Sequence, residues 1–93
     1  MVNDVEQLVQ SIIKEQALII GPLAWLEAKK VTGLQLDIKT HDLHLEGDAR
    51  QVLEALVQRY ERLFGPASRE VCREAVRPLV AQIPADQIPA VLR

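Results

Sequence analysis

One short segment of the sequence contains residue types suited to acid–base catalysis or metal binding. It reads His41-Asp42-x-His44 and holds two imidazoles and a carboxylate close together. A protein zinc site needs three or four ligands, and no spacing elsewhere in the sequence supplies the missing ones. Because alternating residues typical of strands flank the segment, we interpret it as a solvated turn. We expect no metal, no cofactor and no catalysis; an enzyme would need both histidines in a cleft with a carboxylate.

The second half of the chain contains arginines that could bind anions. All four lysines lie before Arg50, and all seven arginines lie at or after it. Three of them form an arginine ladder at helical spacing: Arg69, Arg73 and Arg77. Guanidinium groups on one helix face can bind phosphates or carboxylates with paired hydrogen bonds. Glu70 and Glu74 lie within helical reach of the ladder, so its usual interpretation is a solvated face with ion pairs. With Arg62, the ladder is a candidate nucleic-acid or anion contact.

Composition and charge narrow the classes of function. The 93 residues are 48% hydrophobic and 26% charged, with a net charge of -2 and three aromatic side chains. This composition predicts one folded domain with an aliphatic core. Phosphate binding favours a basic excess, and single-stranded nucleic acid favours aromatic stacking platforms. Both observations make nucleic-acid binding the secondary interpretation.

The sequence also bears on the cellular compartment. Cys72 is the single cysteine and cannot form an internal disulfide, which fits a reducing environment; we expect it in the core. No apolar run reaches 18 residues, so we expect no membrane span. Met1 is followed by Asn3 and Asp4 rather than by a basic start and an apolar stretch, so we expect no secretory signal and a cytoplasmic location.

The elements that position these residues repeat at an offset of 44. Asp4, Gln7, Gly21 and Pro22 recur as Asp48, Gln51, Gly65 and Pro66. The apolar positions between them also coincide at helical spacing, as in the pairs Leu8 and Val52, Val9 and Leu53, Ile12 and Leu56, Ile13 and Val57, Ile19 and Leu63, and Ile20 and Phe64. Any two amphipathic helices resemble each other to some degree. Here the helix-start residues, the apolar positions and the Gly-Pro steps all coincide in one register, which favours two related units.

Each unit is predicted to be a pair of helices with a tight joint. The first unit covers residues 4–32 and the second covers 48–82. Glycine tolerates the left-handed conformation that ends a helix, and proline suits the first position of the next helix. Pro78 is expected to end or kink the last helix, because it lacks an amide and clashes with the preceding turn.

Between the units the hydrophobic period changes to two. Leu34, Leu36 and Ile38 alternate with polar residues, and Leu43 and Leu45 resume the alternation after a turn. This pattern predicts a β-hairpin over residues 34–46. The fold class is therefore α+β and mostly helical, in the order helix, helix, hairpin, helix, helix. Residues 83–93 form an Ile-Pro tail whose apolar residues predict docking against the body.

Trp25 and Leu26 are the local feature most suggestive of binding. In the second unit the corresponding positions hold Arg69 and Glu70, which favour water. Large apolar groups at such positions suggest a protein interface, and tryptophan often anchors interfaces. Alternatively, Trp25 covers the hairpin or the tail within one chain.

The hairpin itself suggests a second contact. A two-stranded sheet is marginal alone and leaves two edges unpaired. Two chains could join their hairpins into a four-stranded sheet about a two-fold axis. The sequence therefore predicts a homodimer through the β-hairpin.

The segment from Leu63-Phe64-Gly65-Pro66 to Ile83-Pro84 resembles the small Gly-Pro, helix, Ile-Pro modules of bacterial signalling proteins. The whole chain is also similar to short bacterial proteins of unknown function, including cyanobacterial ones. The signalling modules usually follow the proline with an apolar residue and alanine, as Pro22-Leu23-Ala24 does; Pro66-Ala67-Ser68 departs from this, and the hairpin is foreign to them. The resemblance implies a regulatory or protein-interaction role.

These observations predict a cytoplasmic, non-catalytic protein-interaction or regulatory module. Its contact with a protein partner would lie around Trp25 and Leu26. The alternative is a DNA- or RNA-associated protein in which Arg62 and the arginine ladder contact phosphates.

Overall fold

The computed structural model describes residues 4–92 and contains four α-helices and one β-hairpin. The helices and strands are α1 (Asp4–Ile20), α2 (Leu23–Ala28), β1 (Leu34–Leu36), β2 (Leu43–Leu45), α3 (Ala49–Phe64) and α4 (Ala67–Val76). Three short 3-10 turns follow at Val80–Gln82, Ala85–Gln87 and Ala90–Leu92. The predicted α+β, mostly helical class and the order of its elements are confirmed.

The two long helices bury the stripes that their apolar spacing predicts. Eight side chains of the repeat are buried in the core: Leu8, Val9, Ile12, Ile13, Val52, Leu53, Leu56 and Val57. The last turns of the helices differ from the prediction, because Ile19 and Leu63 are exposed although the sequence pattern includes them in the stripe. In the last turn of each helix, Ile20 and Phe64 pack against the core and are half-buried, whereas Ile19 and Leu63 point to solvent.

Both glycine-proline steps end a helix and begin another. Gly21 has φ +72° and Gly65 has φ +96°, values at which side chains with a Cβ are strained. The Gly21 amide donates to the Ala17 carbonyl, and the Gly65 amide donates to the Glu61 carbonyl, each at 2.9 Å. The chain therefore reverses at both joints, as the repeat predicts.

The helix α2 is shorter than its counterpart. It ends at Ala28, and the Lys30 and Val31 amides then donate to carbonyls three residues back, which tightens the chain toward Gly33. Gly33 has φ +89°, and a Cβ there would lie 2.8 Å from Val52 Cγ2. The close approach to α3 explains why glycine leads into the hairpin.

The hairpin pairs Leu34 with Leu45, Gln35 with His44 and Leu36 with Leu43 in antiparallel register. Strand β1 ends at Leu36, earlier than the alternation through Ile38 predicts. The reason is Asp37, whose Oδ1 accepts from the Lys39 amide at 2.8 Å and the Thr40 amide at 3.3 Å and so folds the chain into a turn.

The two units pack through reciprocal buried hydrogen bonds. Helix α4 contacts both α1 and α3, and α2 contacts α1 and α3. Gln16 Nε2 of the first unit donates to the Ser68 carbonyl at 3.1 Å. Tyr60 Oη, which lies 44 residues after Gln16, donates to the Ala24 carbonyl at 2.6 Å, and Ala24 lies 44 residues before Ser68. Each unit therefore donates to the other at equivalent positions.

The Ile-Pro tail lies against the helices. Ile83, Ile88 and Leu92 are buried, the turn at Ala85–Gln87 contacts α3, and the turn at Ala90–Leu92 contacts α4. Met1–Asn3 and Arg93, the last residue of the predicted tail, lie outside the described residues. Within residues 4–92, none of the helices has the length and apolar character needed to cross a membrane.

Candidate interaction surface

Large aliphatic side chains remain exposed around the two glycine-proline joints. We call these five residues the joint surface; their exposed fractions are Leu18 80%, Ile19 66%, Leu23 40%, Leu26 45% and Leu63 49%. They are the large hydrophobic residues most exposed in the described part of the chain. Single exposed leucines are ordinary, but several in one region indicate contact with another molecule.

Hydrogen bonds between the units bring both joints to the same end of the molecule. The bond from Gln16 to the Ser68 carbonyl ties the last turns of α1 to the first turn of α4. The bond from Tyr60 to the Ala24 carbonyl ties the last turns of α3 to the first turn of α2. At the other end, Asp4 and Ala49 line one shallow groove, so α1 and α3 also begin close together. Leu63 of the second joint therefore lies at the same end as the four residues of the first.

The repeat shows that the fold does not require three of these five aliphatic side chains; the other two, Ile19 and Leu63, correspond to each other. Three positions of the first unit carry leucine where the second unit carries a polar or small residue: Leu18 corresponds to Arg62, Leu23 to Ala67 and Leu26 to Glu70. All three residues of the second unit are exposed, like their counterparts. The same backbone environment thus accepts an arginine, an alanine and a glutamate.

Trp25 does not belong to this surface. Only 6% of its area is exposed, and its ring stacks on the His41 ring with centroids 3.6 Å apart and planes 7° from parallel. The water-facing placement suggested by the match with Arg69 is therefore wrong. The alternative, in which Trp25 covers the hairpin within one chain, is what the structure shows, and the hairpin turn has no equivalent beside Arg69. Leu26 is exposed as its match with Glu70 predicts.

Every member of the arginine ladder is close to a carboxylate. Arg69 Nε lies 2.7 Å from Glu61 Oε2, Arg73 pairs with Glu70 at 3.2 Å, and Arg77 pairs with Glu74 at 2.7 Å. The Arg69 hydrogen bond lowers the pKa of Glu61, and the same bond raises the pKa of Arg69. The ladder is therefore a face of matched ion pairs, as its sequence suggests.

Arg62 is separate from the ladder. Its side chain is exposed and has no ion-pair partner among residues 4–92. It follows Glu61 on α3 and precedes Leu63 of the joint surface. Arg62 is therefore a cation without an ion-pair partner that directly precedes one residue of this surface.

Glu27 joins the two units through an ion pair that the sequence pattern does not reveal. Its Oε1 accepts from Arg59 Nε at 3.0 Å and from Arg59 Nη2 at 2.8 Å, and its Oε2 lies 3.3 Å from Lys30 Nζ. The hydrogen bond from Arg59, with a smaller contribution from Lys30, lowers the pKa of Glu27. Arg59 lies 32 residues away, beyond any helical spacing.

The two histidines of the hairpin have different partners. His41 stacks on Trp25, whereas His44 Nδ1 lies 3.2 Å from Glu6 Oε2 on α1. The same Glu6 oxygen accepts from the Leu45 amide at 3.2 Å, so this buried carboxylate fastens β2 to α1. Within the described residues no group of three or more His, Cys, Asp or Glu side chains could hold a metal ion. Sequence reasoning missed Glu6, since a charge on a buried face is recognised only from its partners.

Cys72 lies in the core beside Gln16, whose Nε2 is 3.4 Å from its Sγ. Burial raises the pKa of the Cys72 thiol to about 11, and burial also raises the pKa of the Tyr60 phenol. Both groups are therefore neutral at physiological pH. Thiolate is the nucleophilic form, so the geometry indicates a packing residue.

Comparisons with protein-family models, curated proteins and solved structures found no match for this chain.

Proposed function

We propose that this protein is a non-catalytic protein-interaction or regulatory module that binds a protein partner through the joint surface. The observation that carries the proposal is the repeat: exposed leucines occupy places where the related unit has arginine, alanine and glutamate. Exposing such groups to water costs roughly 25 cal/mol per Å² compared with burial. Residues that the fold does not need, and that water disfavours, fit a partner that covers them.

The proposed contact differs from the one that the sequence alone predicts. Trp25 is not part of the proposed contact, because it stacks on His41 of the hairpin turn. Leu26 remains in the contact and is joined by Leu18, Ile19, Leu23 and Leu63. Arg62 at the rim offers a site for an acidic group of the partner. We also infer that the module acts in the cytoplasm, which the single cysteine, buried as a free thiol, supports.

The ion pairs weigh against the nucleic-acid alternative. A phosphate would have to compete with Glu61, Glu70 and Glu74 for the arginine ladder; of the four candidate arginines, only Arg62 has no ion-pair partner among residues 4–92. Affinity for mixed nucleic acid would fall steeply as salt rises if phosphate contacts dominated. We expect no such affinity at physiological salt.

A pair of variants tests the proposal without disturbing the core. Tagged wild-type protein and the double variant Leu18→Ser/Ile19→Ser would be used to isolate partners from cells, followed by cross-linking to locate the contact. We expect a discrete partner cross-linked beside the joints, and loss of that partner with the double variant. The variant should keep its unfolding free energy within about 0.5 kcal/mol, because both side chains are exposed.

The control also carries two serine substitutions, at the start of α1 and at the start of α3. Gln7→Ser/Gln51→Ser changes two exposed side chains near the helix starts and should retain the partner. Retention of the partner by Leu18→Ser/Ile19→Ser, or cross-links confined to the arginine ladder, would contradict the proposal.

A further inference from the structure

A small pocket of about 230 Å³ is lined by α3 and by the turn that follows α2. Its residues on α3 form one stripe at helical spacing: Ala55, Gln58, Arg59 and Arg62. Residues 30–32 of the turn complete the lining. We call this the basic pocket, because three cations line it, Lys30, Arg59 and Arg62, and none of its described lining residues is acidic.

The carboxylate that pairs with two of these cations is less accessible than they are. Glu27 pairs with both Arg59 and Lys30, but only 12% of its side chain is exposed, against 32% for Arg59 and 61% for Lys30. In the arginine ladder, by contrast, the side chains of Glu70 and Glu74 are 66% and 60% exposed. The ladder therefore presents both signs of charge to water, whereas the basic pocket presents mainly positive charge.

The basic pocket also keeps an excess of positive charge. Glu27 supplies one negative charge for two cations, and Arg62 has no ion-pair partner within residues 4–92. The acidic residues of α3, Glu54 and Glu61, do not line the pocket. This excess occurs in a chain whose net charge is -2. A concave site lined by one sign of charge concentrates the field and attracts the opposite sign.

The repeat separates the structural cation from the one that is available. Arg59 and Arg62 correspond to Glu15 and Leu18 on α1, so the long helix of the related unit has neither cation. Arg59 has a role in the fold, because it joins the two units through Glu27. No such role is visible for Arg62, whose exposed side chain has no carboxylate to neutralise it in the described part of the chain. Its charge is therefore available to a ligand.

The basic pocket adjoins the joint surface. Leu63 of that surface directly follows Arg62 on α3, and Leu26 directly precedes Glu27 on α2. The hydrogen bonds from Arg59 to Glu27 hold these two parts of the chain together. A partner that covers Leu26 and Leu63 therefore reaches the pocket within about one helical turn, or about 5 Å.

We propose that the basic pocket receives a carboxylate of the protein partner. The contacting segment of the partner then carries an Asp or Glu next to the apolar residues that cover Leu26 and Leu63. This inference rests on the proposed function and names the chemistry of its partner. The planar guanidinium of Arg62 can give a carboxylate two parallel hydrogen bonds, and Lys30 offers a further donor. Charge complementarity of this kind contributes specificity to an otherwise apolar contact.

A pair of charge reversals tests the pocket. Arg62→Glu should weaken binding of the partner isolated with the wild-type chain about tenfold, because an attractive contact becomes repulsive. The loss should shrink as salt rises. Arg50→Glu makes the same change about 18 Å away along α3 and should have little effect. Both arginines are exposed and lack ion-pair partners among the described residues, so both variants should unfold at the urea concentration of the wild type.

Zero-length cross-linking tests for the carboxylate itself. A carbodiimide couples an amine to a carboxylate in direct contact, and it should join Lys30 to an Asp or Glu of the partner. Lys39 on the hairpin turn should not be joined. Lys30→Arg keeps the charge and removes the amine, so this variant should retain the partner and lose the link.

The possible failures of this inference and of the proposed function are distinct. Equal binding by Arg62→Glu and Arg50→Glu, or carbodiimide links to the partner that never involve Lys30, would overturn the carboxylate in the pocket. The joint surface would stand in that case if Leu18→Ser/Ile19→Ser still loses the partner. Release of the partner by phosphatase would show a phosphate in place of the carboxylate and would also overturn the inference.

Discussion

The first and second units share the same burial pattern after the proline, with one exception. Ala24 and Ser68 are buried at equivalent places, Ala28 and Cys72 are buried one turn later, and Leu26 is exposed like its counterpart Glu70. The exception is Trp25, which is buried where Arg69 is exposed. A shared joint therefore determines where the chain reverses, and neighbouring elements determine which further positions are covered.

The hairpin accounts for this difference. It follows α2 directly and returns its turn residue His41 over Trp25. Helix α4 leads instead to the Ile-Pro tail, which leaves Arg69 free to pair with Glu61. One unit thus supports the hairpin through an aromatic stack, while the other carries a solvated ion-pair face.

The largest expected effect is at Trp25, the position where the two units differ in burial. Trp25→Ala should lower the free energy of unfolding by about 3–5 kcal/mol, because it removes a buried aromatic ring and its stack on His41. The equivalent change Arg69→Ala should cost at most about 1 kcal/mol, since it removes an ion pair that is partly exposed. Urea unfolding followed by circular dichroism measures both. Equal, small losses would show that the hairpin does not cover Trp25.

A smaller effect tests whether the units support each other reciprocally. Gln16→Leu removes the side-chain donor to the Ser68 carbonyl, and Tyr60→Phe removes the side-chain donor to the Ala24 carbonyl. Each should cost about 1.5 kcal/mol, the upper part of the range for one net hydrogen bond, because both carbonyls keep their helical amide partners. Urea unfolding followed by Trp25 fluorescence provides the measurement.

Gln58→Leu serves as the control for this pair, because Gln58 is exposed and bonds only Glu54. Its cost should remain within about 0.5 kcal/mol. A large cost for one buried variant and none for the other would contradict the reciprocal packing.

The smallest expected change in the free energy of unfolding comes from a substitution that makes the two units identical at one core position. Cys72→Ala introduces the residue that the first unit has at Ala28, and should cost about 1 kcal/mol at neutral pH. Burial raises the folded-state pKa of Cys72 from 9.0 to about 11. The thiol therefore contributes stability that is fully present below pH 9.0 and is lost as pH rises toward 11.

The measurement compares urea unfolding of the two proteins on both sides of this window. The difference in free energy of unfolding between wild type and Cys72→Ala should become smaller as pH rises above 9.0. The reason is that only the wild type has a thiol to ionise when it unfolds. A gap that is constant with pH would show that the thiol ionises equally in the folded and unfolded states. Because both proteins share every other titrating group, their difference isolates the thiol.

Local chemistry made much of the fold predictable. The helix starts, the two joints and the hairpin follow from cap residues, glycine-proline steps and a change of hydrophobic period, all of which act within a few residues. Strand β1 ended early for a local reason too, since Asp37 accepts amides of its own turn. The candidate site was predicted only at Leu26.

The remaining features depend on contacts between distant residues. Glu6 with His44, Glu27 with Arg59 and Trp25 with His41 are separated by sixteen to thirty-eight positions, and no periodicity relates their members. The exposure of Leu18 and Ile19 is likewise set by where the neighbouring helices end. The amino-acid order by itself determined two amphipathic units, their reversals and the hairpin, because those depend on local backbone preferences and hydrophobic spacing. Only the tertiary structure decided whether Trp25 is covered and which leucines remain exposed to water. Burial is a property of the assembled chain, and here it depends on how the hairpin and the second unit pack against the first.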